Sequence, residues 1–502
     1  MVASKEPAGK PASRASTESV PGILRAALIV TFFALAACTT NPATGKMQLA
    51  PLMSSEDEAK AGAEAHPKII AAYGGVYADP RVAAYVARVT ARIAKGSDRP
   101  DIAYRVTVLD SADVNAFALP GGYVYVTRGL LALVDDEAEL AGVLGHEIGH
   151  VIARHSAQRQ TAALGASVVG AVLGAVIGSS SASDALGAGG QGLLASYSRD
   201  QEFEADALGV RYLAQAGYDP YAEADFLETM SAAQALDDRI NRQKRGSTAG
   251  VDWLASHPAT PDRVKAARMH ADESGVAAGA GDRNHDVLLR AMDGLLYGDA
   301  PEQGMVRDRS FVQQRLRIGF TAPPNYALIN TAKAVFARGP DETIAKFDVA
   351  RKEPGVEIGN YLSTVWAEGV ELKKLDRFRV NGLEAAGSTA RVGRYNARLV
   401  AIQTAPDTVY RFLMGTLPSV GTQQDAALRA LVMSFHVLSE QEARAIKPLR
   451  IRVVAVAKGE TAVSLGARMS FSDFRTERFR ILNGLKPGEQ PKTGTLVKIV
   501  GE

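Results

Sequence analysis

The sequence is poor in cysteine and in net charge, and both shortages narrow the class of protein. Cys38 is the one cysteine among 502 residues, so no disulfide within the chain can stabilise the fold. The formal net charge is only +2 and no long basic tract occurs, so nothing indicates a nucleic acid or an acidic polymer as partner. The composition, 46% hydrophobic and 22% charged, is typical of globular proteins, and the length predicts two to four domains.

Long apolar runs are also scarce, and the first one ends at the cysteine. Arg25 precedes twelve uncharged, mostly apolar residues at 26–37, which are too few for a stable transmembrane helix. We therefore predict a signal peptide over residues 1–37. The sequence LAAC at 35–38 resembles a bacterial lipobox, whose cysteine is acylated and becomes the first residue of the mature protein. The alternative is an ordinary signal peptide with an incidental cysteine.

The lipobox implies a membrane anchor. Acyl chains on Cys38 would hold an otherwise soluble protein at a membrane face, with residues 38–50 as a linker. Thr39 stands where an aspartate would resemble an inner-membrane retention signal. We therefore expect the protein at the periplasmic face of the outer membrane.

Residues 51–271 form the first predicted domain, which we expect to be mainly helical with a small sheet. Ser55 and Glu58 are spaced as a capping box, which predicts the start of a helix, and a second helix follows from Pro80. Alternating apolar residues predict a strand near residues 102–109. The sequence NAFALPGGYVYVT predicts two further strands around a Pro-Gly-Gly turn.

The next predicted helix, with Asp136 as its N-cap, carries the motif HEIGH. A step of four residues turns about 400°, so His146 and His150 project from one face and can meet a single zinc ion. Glu147 lies beside them, where it can reach a metal-bound water and take its proton. A histidine pair on a solvated helix is the alternative. The apolar neighbours of the motif predict burial instead, and buried histidines need partners.

A catalytic zinc needs a third protein ligand and an open position for water. Downstream, SYSRDQEFEADALGVRYLAQAG predicts a helix on which Glu202 and Asp206 share a face. Glu202 can bind the metal while Asp206, one turn on, accepts a hydrogen bond from a ligand histidine and fixes its tautomer. Glu204 points elsewhere and is expected in solvent. An exposed acidic helix start, favoured by the helix dipole, is the alternative for these carboxylates.

The combination of HEIGH with SRDQEFEAD resembles the M48 family of gluzincin metallopeptidases. The resemblance covers about residues 56–271 and includes NAFALPGG before the motif helix and SHPATPDR after it. It implies a zincin-type domain with one Zn²⁺ per chain, bound by His146, His150 and Glu202, with Asp206 orienting a ligand histidine. It further implies an endopeptidase that acts on misfolded or misassembled proteins of the bacterial envelope.

The same resemblance gives the predicted strand at 115–118 a role in substrate binding. Asn115, Ala116 and Phe117 would lie on the sheet edge that holds an extended substrate. Main-chain pairing to an exposed edge accepts many sequences, which suits such an enzyme. An ordinary hairpin is the alternative.

His257, in the sequence WLASHPATPDRV, is a further candidate, because family members carry a histidine in a matching segment close to the metal. Pro258 and Pro261 constrain its backbone, and Thr260 is predicted to cap the helix that Pro261 starts. Two roles are open: a hydrogen bond to the oxyanion of the tetrahedral intermediate, or occupation of the open zinc position, which keeps the enzyme latent. A histidine that merely packs near Trp253 is the alternative.

The segment ALGASVVGAVLGAVIGSSSASDALGAGGQGLLA separates the two motif helices. Gly170, Gly174 and Gly178 have the spacing of packed membrane helices. The apolar run at 162–178 is nevertheless at the short limit for a span and is rich in Ala and Gly. We therefore predict a lid over the active site.

The rest of the chain carries no further metal motif. Residues 272–284 are a predicted linker, and residues 285–445 predict an α+β domain of unknown role, with His436 packed in an apolar helix. Residues 446–502 show the pattern strand, helix, helix, strand and resemble LysM, a family that binds N-acetylglucosamine polymers, so peptidoglycan is a natural partner. A docking domain without sugar affinity is the alternative.

The sequence therefore predicts an α+β protein in three parts: a mainly helical zinc metallopeptidase domain with a small sheet, an α+β middle domain and a small βααβ domain. The expected function is a zinc-dependent endopeptidase of the periplasm, with polypeptide substrates and with Glu147 and His257 as catalytic candidates. The alternative is a chaperone-like or peptidoglycan-tethered assembly factor with a largely latent protease domain. Glu147 argues for the enzyme, because a binding protein would not need it.

Overall fold

The computed structural model describes residues 38–41, 43–45, 47–49, 54–159, 197–244, 257–331, 333–420 and 422–502. The predicted signal peptide and the predicted lid lie outside these ranges, as does Trp253. Within them, no helix combines the length and the apolar character needed to cross a membrane.

A short hairpin precedes the first unit of the fold, and it consists of β1 (Cys38–Thr40) and β2 (Met47–Leu49). The N-terminal unit, residues 54–273, packs helices around a small sheet. Its helices are α1 (Ser55–Ala72), α2 (Pro80–Lys95), α3 (Arg128–Leu133), α4 (Glu137–Ile152), α5 (Arg199–Gln215), α6 (Ala222–Lys244) and α7 (Pro261–Glu273). Its strands are β3 (Arg105–Leu109), β4 (Ala116–Leu119) and β5 (Tyr123–Thr127).

The small sheet has the order β3-β5-β4, with β3 parallel to β5 and β4 antiparallel to it. The predicted hairpin between β4 and β5 is confirmed. Its turn contains Gly121 and Gly122 at φ values of +82° and +83°, a backbone region that other residues adopt only with strain. The glycines of the sequence therefore fix where the hairpin turns.

The starts of two helices differ in how well the sequence predicts them. Asp136 caps α4 as expected, because its carboxylate accepts a hydrogen bond from the backbone N–H of Glu139 at 2.8 Å. The predicted capping box of α1 is wrong by one residue, since Ser54 and Asp57 form it. The physical reason is that the Glu58 carboxylate instead accepts hydrogen bonds from Arg154, in the turn after α4.

Two glycines let α4 and α5 approach closely. A Cβ atom on Gly209 would lie 3.1 Å from the backbone nitrogen of His146, and one on Gly145 would lie 3.3 Å from the Cα of Gly209. Interiors are close-packed, so side chains at these positions would force the helices apart. This contact between bare backbones brings the acidic residues of α5 next to the motif of α4.

After α7 the chain forms α8 (His285–Met292) and β6 (Leu296–Tyr297), which the sequence assigns to the middle domain. Leu288, Leu289 and Met292 nevertheless lie in the same hydrophobic core as the helices of the N-terminal unit. These residues therefore extend the first core and do not begin the second.

A second core belongs to the sheet unit, residues 305–445. Its strands are β7 (Met305–Arg307), β8 (Ser310–Gln313), β9 (Ile318–Thr321), β10 (Ala327–Asn330), β11 (Val335–Arg338), β12 (Ile344–Arg351), β13 (Asp376–Val380), β14 (Leu383–Val392), β15 (Tyr395–Ala405), β16 (Thr408–Thr416) and β17 (His436–Val437). An antiparallel seven-stranded sheet has the order β10-β11-β12-β16-β15-β14-β13, and a four-stranded sheet has the order β17-β9-β8-β7. Its helices are α9 (Ile358–Asn360), which continues into a π-helical turn, α10 (Thr422–Met433) and α11 (Glu440–Ala445).

The prediction that His436 lies in a helix is wrong. Helix α10 ends at Met433, and His436 lies in β17, where it pairs with Gly319 of β9. Ser434 explains the change, because its hydroxyl accepts a hydrogen bond from the backbone N–H of Thr321 at 2.9 Å and so ties the chain to β9. The apolar periodicity of the segment does not register this strand pairing.

The C-terminal unit follows the order strand, helix, helix, strand, and consists of β18 (Leu449–Ala455), α12 (Ala462–Ala467), α13 (Arg475–Leu482) and β19 (Leu496–Gly501). Strand β18 pairs with both β19 and β6. The Lys498 ammonium is fully buried and donates to the backbone carbonyls of Ala132, Leu133 and Val134 at 2.5–3.3 Å. The C-terminal unit therefore shares a sheet with β6, which follows the N-terminal unit in the chain, and shares a hydrophobic core with that unit.

Candidate metal centre

The two motif histidines lie one turn apart on α4, inside the N-terminal unit. The ring centres of His146 and His150 are 4.6 Å apart, and their Nε2 atoms are 3.0 Å apart. Both side chains are buried. The predicted burial is confirmed, and the alternative of a solvated histidine pair is excluded.

Helix α5 brings a carboxylate to the same point. Its N-cap is Ser198, whose hydroxyl accepts a hydrogen bond from the backbone N–H of Gln201. One carboxylate oxygen of Glu202 lies 3.5 Å from Nε2 of His150, and the other lies 3.7 Å from Nε2 of His146. The acidic start of this helix thus faces the interior.

His257 supplies a fourth donor from the loop before α7. Its Nδ1 lies 3.2 Å from Nε2 of His146 and 2.9 Å from Oε1 of Glu202. Thr260 caps α7 and Pro261 starts it, as the sequence predicts, and both hold the loop that carries the histidine. His257 is therefore part of the same group of donors.

The four residues suit a metal ion. Each offers one donor atom, and these atoms all lie within 4.8 Å of one another. Ligands about 2.0–2.2 Å from a tetrahedral zinc ion lie about 3.4 Å from one another, close to the separations of 2.9 to 3.7 Å seen here. Imidazole nitrogens that face each other at 3.0 Å repel unless a cation or a proton lies between them.

The charges around the group also favour an added cation. Burial disfavours a charged imidazole, but the hydrogen bond to Asp206 and the nearby carboxylates outweigh it and raise the pKa of His146 to about 9. Burial likewise opposes the charge of Glu202, but His257 and His150 hold the pKa of that carboxyl well below its usual range. The surroundings of His146 thus stabilise positive charge beside an ionised glutamate, whereas burial holds the pKa of His150 well below its usual range.

Glu147 differs from the other buried acids of the site. Its two carboxylate oxygens are buried and have no hydrogen-bond partner among the described residues. Burial raises the pKa of this carboxyl. Oε1 lies 3.7 Å from Nε2 of His257, so the carboxylate sits at the edge of the donor group. A buried carboxylate without a partner is costly, which fits a group kept for a polar molecule that binds there.

Asp206 lies behind the first histidine. Its Oδ1 is 2.9 Å from Nδ1 of His146, so that nitrogen carries the proton and Nε2 presents its lone pair to the other donors. The Arg263 guanidinium donates to both oxygens of Asp206, at 2.6 and 2.7 Å, and lies 2.8 Å from Glu202. The predicted spacing of Glu202 and Asp206 on one helix face is thus present.

Residues 80–271 match the model of peptidase family M48. This segment contains all four donors, Glu147 and Asp206. This part of the chain is therefore similar to M48 peptidases, and it contains the buried side chains that could hold a metal ion.

Three curated relatives share this region. The mitochondrial metalloendopeptidase OMA1 of Schizosaccharomyces pombe is 28% identical over 40% of this chain and 57% of its own length. The mitochondrial metalloendopeptidase OMA1 of Danio rerio is 35% identical over 33% of this chain and 34% of its own. The beta-barrel assembly-enhancing protease of Escherichia coli is 29% identical over 39% of this chain and 40% of its own. The chain thus spans from about a third to just over half of the lengths of these relatives.

In the segment that matches the M48 model, residues 80–271, the sequence does not predict the roles of two residues. Arg263 is the last residue of SHPATPDR, and local spacing gives no signal that this buried arginine pairs with two acids on another helix. His155 lies five residues after His150, and its Nδ1 is 2.7 Å from Nδ1 of that ligand candidate. The run HEIGHVIARH does signal a third histidine, but five residues in a continuous helix would point it to another face.

The expectation that Glu204 lies in solvent is wrong. Its carboxylate is half-buried and lies 3.1 Å from Nε2 of His155 and 2.8 Å from Nδ2 of Asn41. It does point away from the donor group, as helix geometry requires, but His155 and the hairpin before α1 cover that face. Local spacing in the sequence predicts neither neighbour.

The predicted substrate strand occupies the edge of the small sheet, because β4 pairs only with β5 among the described strands. Its residues Ala116 and Phe117 are buried, as is Asn115 just before it. The Asn115 amide donates to the Tyr73 hydroxyl at 3.2 Å. The edge is therefore unpaired but covered.

Cys38 lies at the start of β1, where it pairs with Leu49. Asn41, three residues later, reaches the back of the metal centre through Glu204. The N-terminal hairpin therefore sits against the M48 segment.

Proposed function

We propose that this protein is a zinc-dependent endopeptidase of the bacterial cell envelope. The observation that carries the proposal is Glu147, a buried carboxylate without a described hydrogen-bond partner, at the edge of four metal-binding donors. The named activity of the relatives, metalloendopeptidase or protease, supports the same reaction.

In this proposal His146, His150 and Glu202 hold the zinc ion, and Asp206 fixes the tautomer of His146. Zinc would supply a Lewis acid that lowers the pKa of water and polarises the scissile carbonyl. Glu147 takes the proton of the attacking water and delivers it to the leaving amine. The burial of the site keeps bulk water away from that proton transfer.

Metal analysis combined with a casein digestion assay on the mature chain tests the proposal. We expect about one zinc per chain and digestion that a chelator abolishes and added zinc restores. A chain that binds zinc but digests nothing, even after His257 is replaced, would support the assembly-factor alternative instead.

We further propose that the domain rests in a latent state. Nδ1 of His257 stands in the donor group, which supports occupation of the open zinc position over a hydrogen bond to an oxyanion. The covered edge of β4 supports the same state, because an extended substrate would need that edge open.

The variant His257→Ala separates the two roles of this histidine. If the imidazole blocks the open position, casein digestion rises above the wild-type rate, because substrate no longer has to displace it. If it stabilises the oxyanion, digestion falls by roughly 10²-fold with zinc retained. The first result would support latency, and the second would refute it.

We also propose that Cys38 carries the acyl chains that anchor the protein to the periplasmic face of the outer membrane, and that misfolded or misassembled envelope proteins are the substrates. The name of the Escherichia coli relative, a beta-barrel assembly-enhancing protease, supports the envelope setting. Cys38→Ser should move the protein from the membrane fraction to the soluble fraction. A variant that still sediments with membranes would contradict the anchor.

For the C-terminal unit we propose docking as the main role. The buried Lys498 and the sheet shared with β6 support it. Peptidoglycan binding by this LysM-like unit is the second candidate, supported only by its element order. Sedimentation of the chain with purified peptidoglycan, with and without competing N-acetylglucosamine oligomers, tests it.

A further inference from the structure

His155 contacts His150, one of the four donor residues, but it has no role in the proposed mechanism. Its ring is fully buried, and its Nδ1 lies 2.7 Å from Nδ1 of His150. On its other side, Nε2 lies 3.1 Å from a carboxylate oxygen of Glu204. The three side chains therefore form a continuous row that leads away from the donor group.

A break in the helix creates this contact. In a continuous helix, residues five apart point about 140° away from each other, so His155 would leave the face of His150. Helix α4 instead ends at Ile152, and Arg154 has a φ of +57°, a region that non-glycine residues rarely adopt. The Arg154 guanidinium donates to Glu58 of α1 at 2.8 and 2.9 Å, which holds the turn in place. Strain held by tertiary contacts of this kind concentrates at functional sites.

The row of contacts fixes where the protons lie. If Nε2 of His150 presents its lone pair to the donor group, then Nδ1 carries the proton and donates it to Nδ1 of His155. The proton of His155 is then on Nε2, which donates to the Glu204 carboxylate. Every donor therefore meets an acceptor, and the ionised group stands at the far end.

The far end is tied to the N-terminal hairpin. The side-chain amide of Asn41 is buried and donates to the second carboxylate oxygen of Glu204 at 2.8 Å. Backbone N–H groups of Ala43 and Thr44 donate in turn to the side-chain Oδ1 of Asn41. The segment next to Cys38 thus holds the orientation of Glu204.

We propose that His155 and Glu204 are positioning residues that orient the second zinc histidine and raise its basicity as a ligand. They do for His150 what Asp206 does for His146, but through an interposed imidazole. Ligand histidines regularly donate their second nitrogen to such partners, and loss of the partner typically weakens metal binding about 10- to 100-fold. The inference rests on the proposed zinc site.

The test is the zinc dissociation constant of the full chain, measured by competition with a chromogenic chelator. His155→Phe keeps an aromatic ring at this position and removes the acceptor, and we expect zinc to bind about 10- to 100-fold more weakly. His155→Asn places an amide oxygen near the position of Nδ1, so it should restore part of the loss. Circular dichroism of the zinc-free variants checks that each one folds.

A double variant separates positioning from a general loss of structure. Glu204→Gln alone removes the charge at the end of the row and should weaken zinc binding by less than His155→Phe. In the His155→Phe background the same change should have less than about a twofold effect, because the connection is already broken. Equal effects in both backgrounds would overturn the proposal.

His66→Phe is the matched control. His66 lies outside the donor group, and its Nδ1 is 2.7 Å from the Tyr125 hydroxyl, a contact as short as that of His155. Zinc affinity should be unchanged in this variant. A wild-type chain that binds no zinc would overturn the proposed function and this inference together, whereas an unchanged affinity in His155→Phe would overturn the inference alone.

Discussion

The N-terminal unit and the sheet unit bury different chemistry. The centre of the N-terminal unit holds charged and titratable side chains: His146, Glu147, His150, His155, Glu202, Asp206, Glu223, His257 and Arg263. The sheet unit buries an aromatic cluster instead: Phe311, Phe320, Phe347, Tyr410, Phe412 and Phe435. Buried charge costs free energy unless it is paired, while buried aromatic surface stabilises without partners.

The difference indicates which unit carries chemistry. The aromatic rings of the sheet unit contact one another with centres 4.7 to 6.2 Å apart, the spacing of ordinary aromatic packing. In the N-terminal unit, Glu202 and Asp206 are each paired with an arginine and a histidine. Glu147 and Glu223, in contrast, have buried carboxylate oxygens without a hydrogen-bond partner among the described residues. Buried carboxylates without partners are costly to fold, which points to a function in that unit.

The largest expected effect concerns Glu147, the unpartnered acid at the edge of the donor group. Glu147→Gln should lower casein digestion by about 10³-fold or more while zinc binding stays near stoichiometric, because the ligands survive and only the base is lost. Glu384→Gln, an exposed change of the same chemistry in the sheet unit, is the control and should have no effect. Substantial proteolysis by the Glu147 variant would remove the distinction between the two units.

The next effect lies in the sheet unit. Phe412 is fully buried among the aromatic rings, so Phe412→Ala should lower the free energy of unfolding of this unit by about 3–5 kcal/mol. Zinc affinity should not change, because the ring belongs to the second core. Chemical denaturation, followed together with chelator competition, measures both quantities. A loss of zinc affinity in this variant would show that the two cores are coupled.

The smallest effect is the removal of zinc. Zinc at about 100 times its dissociation constant should stabilise the N-terminal unit by about 2.7 kcal/mol, and the sheet unit not at all. Hydrogen exchange with and without chelator reports on both units in one sample. Amides of α4 and α5 should lose protection while those of β15 and β16 keep theirs, and equal loss in both would contradict the separation.

The sequence predicts the parts of the site that depend on local geometry. His146 and His150 share a face because a helix repeats every 3.6 residues, and the caps at Asp136 and Thr260 follow from short polar side chains before an apolar periodic run. The turn of the β4–β5 hairpin follows from its glycines. These features need no knowledge of distant residues.

What depends on tertiary contacts could not be predicted. His155 reaches His150 only because Arg154 leaves the helical region, and Glu58, 96 residues away, holds it there. Glu58, which the sequence assigns to the capping box of α1, belongs to that same ion pair, and Ser54 and Asp57 form the box instead. The seven-stranded order of the sheet unit joins strands that are far apart in the chain, such as β12 and β16. Periodicity contains no information about such pairings.

Lys498 makes the packing of the motif helix depend on the late strand β19. Its ammonium group covers the backbone carbonyls of residues 132–134, just before the cap of α4, although it follows Val134 by 364 residues. A chain that is still being synthesised leaves these carbonyls open to water and lacks β19 in the shared core. The helix that carries His146 and His150 therefore reaches its final packing only after β19 has been made. The donor group is thus assembled late in synthesis, because the packing of its helix depends on a strand far downstream.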